Sequence, residues 1–289
     1  MKLPQYLRRD FFRSPAAIAM TRFYRVNGLI IPHSHDFVEV VLVVDGEGIH
    51  RSHEGASLIR RGQVLVIRPG AWHTYEACVD LKLYNCCFGY ELLGHELAWF
   101  GEDARLNYLF HVGPLSQGRR GILATTIPST AVQSCERHLL TLCDLEQRPT
   151  LADKTTTLAC LLLFFGELAQ AVTPCALSAA HAHPAVLEAV RLLEQDATEA
   201  WSMATLTQRV GLSEAYLSRL FRHQMGTPPM TYLHQRRMER GANLLLHTNW
   251  PIGQIALDVG LNDQNYFARC FKAYYGLSAT DYRKQFAGR

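Results

Sequence analysis

The stretch Leu206-Thr207-Gln208-Arg209-Val210-Gly211-Leu212-Ser213 is written again 49 positions later as Ile255-Ala256-Leu257-Asp258-Val259-Gly260-Leu261-Asn262. The echo continues through Leu217, Leu220, Phe221, Pro229 and Tyr232 in the first copy and Phe267, Cys270, Phe271, Ala279 and Tyr282 in the second. Repetition of this kind marks one supersecondary unit used twice. In each copy residues that suit a buried face recur at i, i+3, i+4 and i+7, the period of an amphipathic helix. They are Met203, Leu206, Thr207 and Val210, then Ile252, Ile255, Ala256 and Val259. Gly211 and Gly260 follow at once, where a helix ends in a left-handed residue that glycine adopts without penalty. Ser213, and Asn262 with Asp263, then offer side-chain oxygens to cap a second helix. Short helix, glycine turn and second helix make a helix-turn-helix, whose second helix lies in the major groove of DNA.

The faces of the two second helices that point away from these cores are mostly polar. Ala215, Ser218, Arg219 and Arg222 form one, and Gln264, Asn265, Ala268, Arg269 and Lys272 form the other. Arginine pairs bidentately with guanine, Asn or Gln with adenine, and small residues allow close approach to thymine methyls. Lys272 and the outer arginines suit phosphates, which position a protein without reading sequence. An ordinary solvated helix face has a similar composition, but two copies in register favour duplex DNA as the partner. Residues 184–286 resemble the AraC/XylS transcription regulators, whose DNA-binding domain holds two helix-turn-helix units joined by a long helix. Tyr232-Leu233, Arg237-Met238, and Leu244-Leu245 before Pro251-Ile252 are similar to that joining helix. Gly241 stands where the family usually has alanine, a loss of about 1 kcal/mol of helix propensity, and Ala279 replaces the proline that Pro229 supplies in the first copy. The resemblance implies a sequence-specific regulator that works as a homodimer and, if an activator, meets RNA polymerase.

Length and composition agree with two soluble domains: 289 residues, 48% hydrophobic and 19% charged. The formal net charge is only +3, yet all of it lies in one half. From Pro184 onward 12 Lys and Arg face 9 Asp and Glu, whereas the preceding part holds 17 of each. An excess placed there is what phosphate attraction wants. The eight cysteines contain no CxxC pair and lie mostly in apolar runs. That pattern suits buried thiols in a reducing compartment, not a disulfide framework or a zinc cluster; a redox role for Cys86-Cys87 would need an exposed, electropositive setting. The opening MKLPQYLRRDFFRS lacks the apolar core of a signal peptide, and the run from Leu158 to Phe165 is too short to span a bilayer, so a cytoplasmic protein without membrane contact is expected.

Between Ala16 and Tyr90 the text changes to short β-rich runs. Strands are expected at Ile18–Val26, Val38–Val44, Gly48–Ser52, Val64–Ile67 and Leu81–Tyr90, with turns at Asp45-Gly46-Glu47-Gly48 and Arg61-Gly62. Such spacing suggests a small barrel or jelly roll. Within it, His33-Ser34-His35, Glu39 and His73, set among Gly28, Gly46, Gly62 and Pro69-Gly70, resemble the two motifs of the cupin barrels. There, two histidines and a glutamate on one strand and a histidine on another converge on a metal; the asparagine expected soon after the last histidine is absent here. Residues two apart on a strand share a face, as His33 and His35 would. The resemblance implies a pocket of His33, His35, Glu39 and His73. It would hold either a divalent transition metal, for which zinc, iron, nickel and copper suit such ligands, or an organic effector bound by hydrogen bonds, as in AraC/XylS sensor domains. The run His35-Asp36-Phe37-Val38-Glu39 with Gly46-Glu47-Gly48-Ile49-His50 is also similar to sensor domains of the rhamnose-responsive members, a pointer to a sugar effector.

Past Tyr90, residues Glu91 to Phe110 read as a short helix plus loop and Gly113 to Gly121 as a turn-rich link. A helix is expected from Ser129, burying Val132, Cys135, Leu139, Leu142 and Cys143, and another from about Leu151 to Val172. Leu158, Leu161, Leu162, Phe165 and Leu168 give the second a broad apolar face, for intramolecular core or, by the family resemblance, for dimerisation. The chain therefore divides into a cupin-like effector-sensing β-barrel (1–125), a helical dimerisation segment (126–175), a linker (176–184) and an all-α domain with two helix-turn-helix units (185–289). The expected function is transcription regulation controlled by a small-molecule effector, without enzymatic activity. The alternatives are a metal-dependent cupin enzyme fused to a DNA-binding tail, and an architectural DNA-binding protein with a vestigial barrel. The first lacks an obvious general base beyond the presumed ligands. The second does not account for polar residues inside a barrel that otherwise prefers apolar filling.

Overall fold

The computed structural model describes residues 5–6, 11–12, 17–52, 54–115, 119, 121–147, 154–172, 183–225 and 227–286. Seven strands form the N-terminal half: β1 Gln5–Tyr6, β2 Ala19–His35, β3 Val38–Ser52, β4 Gly55–Arg60, β5 Gln63–Ile67, β6 His73–Phe88 and β7 Ile122–Thr126. They lie in the order β1-β2-β6-β3-β5-β7, with β4 on β3, and every pairing is antiparallel except that of β1 with β2. Strand β3 opens with seven consecutive buried residues because both of its faces are covered. Val38, Val40, Leu42 and Val44 enter one core with two helices, while Val41 and Val43 enter another on the opposite face.

The expected turn at Asp45–Gly48 is not a turn. Strand β3 runs straight through it, with register shifts against β6 between Val43 and Asp45, Asp45 and Glu47, and Glu47 and Ile49. These are bulges, which use turn-forming residues to bend a strand without ending it. The expected strands Val38–Val44 and Gly48–Ser52 are thus one element, β2 continues to His35, and β6 begins at His73. Strand β4, where only Ile59 is buried, gave no hydrophobic signal to read. The segment from Tyr90 to Leu115 is a series of short helical turns, tight ones at Tyr90–Gly94, Ala98–Gly101 and Gly113–Leu115 and an α-helical turn at Ala104–Asn107 that widens into a π-helical turn at Tyr108–Val112, in place of the single short helix expected.

Helices α1 (Ser129–Gln147) and α2 (Lys154–Ala171) pack on the outer face of the sheet. Val132, Cys135, Leu139 and Leu142 from α1 and Leu161, Phe165 and Leu168 from α2 are buried there. Phe165 lies 4.9 Å from Phe110 and 5.3 Å from Phe88 between ring centroids. The broad face of α2 is therefore largely intramolecular core; Leu158 and Leu162 are half-buried, and Leu163 is exposed. The expected start of α2 at Leu151, residues 173–175 with Cys175, and residues 176–182 of the linker lie outside the described residues, as does most of the N-terminal arm; the last expected linker residues are already structured, His183 as a helix cap and Pro184 as the first residue of the next helix. The described cysteines are free, four buried and three half-buried. Burial pushes the Cys86 thiol up to about 12, the reverse of what a redox-reactive pair needs.

The C-terminal half is helical: α3 Pro184–Gln195, α4 Met203–Val210, α5 Glu214–Met225, α6 Pro229–His247, α7 Ile252–Asp258, α8 Gln264–Tyr275 and α9 Ala279–Phe286. Ser202 caps α4 through a reciprocal pair of bonds with Thr205, and the Asp263 carboxylate caps α8 by accepting from the Asn265 amide at 2.8 Å. Gly211 and Gly260 adopt φ of 72° and 81°, the left-handed conformation that ends each first helix and turns the chain into the second. Leu206, Leu217, Phe221, Tyr232 and Leu233 fill the core of the first unit, and Ile255, Val259, Phe267, Phe271 and Tyr282 that of the second. Helix α6 serves both: Tyr232 and Leu233 belong to the first core, Met238, Ala242 and Leu245 to the second.

The departure at Gly241 has a steric cause. A Cβ there would lie 2.8 Å from Cε2 of Phe267, a fully buried ring of α8. Gly241→Ala is thus expected to lower stability by about 1 kcal/mol, because overpacking outweighs the gain in helix propensity. Urea denaturation of the two proteins checks it; a more stable variant would mean that α6 and α8 are not so closely apposed.

The two halves also touch each other. Tyr108 and Val112 join the core of the first helix-turn-helix unit, and Trp72 packs against that of the second. Between them Arg68, 1% exposed, donates to the Phe110 carbonyl at 2.9 Å and to the Tyr90 hydroxyl at 2.8 Å, and lies 3.4 Å from the Glu239 carboxylate on α6. Arg236 pairs with the same carboxylate and stacks 4.2 Å from the centroid of Tyr90.

Candidate DNA interface and ligand cavity

Helices α5 and α8 are anchored by their apolar faces, which sets what the opposite faces show. Ala215, Arg219, Arg222, Gln264, Asn265, Arg269 and Lys272 are exposed, and Ser218 and Ala268 are half-buried. Each helix also carries an exposed tyrosine that the sequence pattern did not single out. Tyr216 lies one turn before Arg219, whose guanidinium sits 5.6 Å from its ring centroid; Tyr266 stands in the same relation to Arg269 at 5.8 Å. Their spacing by three residues was the available signal. A guanidinium against an aromatic face has fewer orientations to lose on binding.

The second site lies in the sheet. His33 and His35 stand near the end of β2, and the bend at Asp36-Phe37 returns the chain into β3 with Glu39 beside them. His73 opens β6, paired in register with His33. All four side chains are buried: His33 5%, His35 1%, Glu39 2% and His73 0% exposed. Ligand atoms of His33, Glu39 and His73 lie within 4.8 Å of one another. Nε2 of His35 is 2.8 Å and Nε2 of His73 is 3.5 Å from Oε2 of Glu39. His33 and His35 each place Nδ1 against a carbonyl, Ile31 at 2.9 Å and Phe37 at 2.8 Å. A carbonyl only accepts, so Nδ1 carries the proton and a neutral ring presents its Nε2 lone pair. A lone pair and a carboxylate oxygen 2.8 Å apart require a proton or a cation between them.

Electrostatics favours neutral rings. Burial lowers the pKa of His33 and carries that of His73 well below the usual imidazole value. A fourth histidine, His50, belongs to the group: it is buried, lies 5.8 Å from His73 between centroids, and is pushed down to about 4 by burial. It was not identifiable from spacing. Glu39 and His50 are an odd eleven residues apart, which puts them on opposite faces of a regular strand; the bulges in β3 turn them to the same side.

His33, His35 and Glu39 border a cavity of about 280 Å³, also lined by Tyr75, Asn85 and Arg22 and walled by Tyr6, Phe11 and Phe37. The expected fourth member, His73, is not in that lining, nor is His50; His73 reaches the site through Glu39, 3.5 Å from its Nε2. Among the described residues, the Tyr75 hydroxyl, Asn85 Oδ1, and Nε2 of His50 and His73 are buried without a hydrogen-bond partner. Such atoms are costly unless a ligand satisfies them. A cavity with aromatic walls and a few convergent polar groups suits a small polar molecule.

The sequence profile of the AraC-like ligand binding domain matches residues 24–180, and that of a helix-turn-helix domain matches residues 206–285. The HTH-type transcriptional activator RhaR of Klebsiella pneumoniae is 28% identical over 304 residues, covering 96% of this chain and 96% of the relative. That of an Enterobacter species is 28% identical over 293 residues, covering 98% of each. Among solved structures, ToxT from Vibrio cholerae superimposes with a TM-score of 0.51 at 11% identity, covering 94% of this chain and 100% of that one, a likeness of fold.

Proposed function

The chain belongs to the AraC family of transcription regulators, and on that premise we propose that it is an activator, working as a homodimer in the cytoplasm, whose hold on promoter DNA is set by a small polar effector in the sheet cavity. The observation that carries this reading is the pairing, in one chain, of two exposed basic helix faces with a walled cavity containing unpartnered polar groups. Arg219 and Arg269 read bases, Arg222 and Lys272 hold phosphates, and the effector engages His33, His35 and Glu39, with His73 acting through Glu39. A sugar fits the size and polarity of the cavity and the resemblance to rhamnose-responsive sensors. The partner in transcription is RNA polymerase. No catalytic role is proposed for the cavity; turnover abolished by chelation would favour the enzyme reading instead.

We further propose that the cavity accepts a divalent transition metal. Its support is the donor set: the imidazoles of His33 and His73 and the Glu39 carboxylate, with ligand atoms within 4.8 Å of one another. His33, Glu39 and His73 would hold the ion, which supplies a Lewis-acidic position for effector hydroxyls. Elemental analysis of the protein purified without chelators tests it; a metal content of zero that zinc or nickel titration does not change sinks it.

No helix among the described residues is long and apolar enough to cross a membrane. The fragment from about Ala185 to Arg289 is expected to bind duplex DNA from upstream of its own operon in a mobility-shift assay, with affinity falling steeply as salt rises through counterion release. Weak binding indifferent to sequence, by a fragment shown to be folded, would refute this.

A further inference from the structure

The cavity and the DNA-binding half meet at one short segment, residues 68–73. At its end stands His73, with Nε2 3.5 Å from the Glu39 carboxylate that lines the cavity, and at its middle the Gly70 amide donates to the carbonyl of His35 at 2.9 Å. The other side of Gly70 is covered by the DNA-binding half. Its carbonyl accepts from the Tyr282 hydroxyl of α9, and a Cβ at Gly70 would stand 3.1 Å from Cβ of Ala242 on α6. Trp72 packs into the second helix-turn-helix core, and Arg68 reaches Glu239 on α6. Thus a single residue, Gly70, is bonded on one side to a cavity histidine and on the other to a helix of the second DNA-reading unit.

We propose that residues 68–73 couple occupancy of the histidine–glutamate cavity to the docking of the DNA-binding half, with Tyr282–Gly70 and the Arg68–Glu239–Arg236 cluster as the contacts that make and break. This rests on the cavity being a binding site, and deepens that reading by naming its output. A ligand that pulls on His73, as the metal would, or on His35, as an occupant of the cavity would, shifts the backbone at Gly70, through the 68–73 segment itself in the first case and through the Gly70–His35 bond in the second. The Tyr282 hydroxyl and the Arg68 guanidinium feel that shift directly, since both are buried and closely packed, and packed contacts switch between arrangements instead of deforming smoothly. Helix α6 carries the consequence to both units, because its two halves belong to the two cores. Tyr108 and Val112 hold the first unit to the sensor independently, so loss of the 68–73 contacts changes the orientation of the second unit relative to the first. By linkage the effect is reciprocal: whatever loosens the docking changes affinity at the cavity by the same factor.

The experiment is hydrogen exchange on the full-length protein, with and without Zn(II), for wild type, Tyr282→Phe and Glu239→Gln. Calorimetry reports Zn(II) binding in parallel. In wild type, Zn(II) is expected to change amide exchange in 68–73, in α6 and in α9 by about five-fold or more. Both variants should still bind Zn(II), with altered affinity, while exchange in α6 and α9 no longer responds to it. Zn(II) binding that alters exchange around the cavity and leaves wild-type α6 and α9 unchanged overturns the proposal. If calorimetry shows no Zn(II) binding, the metal reading alone fails, and His35→Ala in the metal-free protein takes its place. A change of exchange in α6 and α9 in that variant supports the coupling, and an effect confined to the sheet overturns it.

Discussion

Acidification from pH 6.5 towards pH 4 is expected to remove ~3–5 kcal/mol of stability through His111 and His50. Burial, with the Arg68 guanidinium adding to it, pushes His111 down to about 3, and burial takes His50 to about 4. A histidine whose folded-state pKa lies below its unfolded value binds fewer protons in the native state over that interval. Stability is therefore complete above about pH 6.5 and falls as the pH drops towards the folded values. His111 is buried in the turn that carries Tyr108 and Val112 to the first helix-turn-helix unit, so acid should loosen the junction as well as the sheet. Urea unfolding at pH 7.5, 6.0 and 5.0 measures the slope, and His111→Gln, which cannot take up the proton, should flatten it. A midpoint independent of pH in wild type would show that these rings are not buried as neutral groups.

Arg219→Ala is expected to cost about 1–3 kcal/mol of operator affinity and to relax base preference in one half of the bound site. Arg269→Ala should act in the other half. The reason is positional: both arginines are exposed on α5 and α8, one turn after Tyr216 and Tyr266, while the apolar faces of those helices are fixed in separate cores joined by α6. Held in this way, the two helices are expected to enter successive major-groove turns, roughly 34 Å apart on one side of the duplex. Lys272→Ala should instead weaken all sequences alike and lower the salt dependence, as loss of a phosphate contact does. Footprints of wild type and the two arginine variants decide the matter. Protection lost from the same half-site in both variants contradicts the two-groove arrangement.

The double helix-turn-helix was legible because it is made of local signals. The 3.6-residue period, the glycine that ends each first helix and the oxygen that caps each second one all act within a few residues. The repeat then confirmed each copy with the other, and α4, α5, α7 and α8 lie close to where the periods of Met203 and Ile252 placed them. Gly241 is instructive in the opposite sense: propensity marked it as a weakness, whereas the ring of Phe267 pressed against it is a contact between distant residues.

In the sheet the local signals misled. Asp45-Gly46-Glu47-Gly48 has turn chemistry, but bulged strands use the same residues, and only pairing with β6 tells the two apart. His33, His35, Glu39 and His73 could be named from a motif, yet His50 could not, because the face it takes depends on register shifts that spacing does not encode. The sequence by itself determined the class of each half, the two second helices of the helix-turn-helix units, and the side chains on their outward faces, since each follows from short-range periodicity and caps. Tertiary structure alone decided which histidines gather round Glu39, that the broad face of α2 is spent on the sheet, and that Gly70 sits between His35 and Tyr282. These are long-range contacts, and they arise from β-sheet register and from the docking of one half on the other, neither of which is written in any local stretch of the chain.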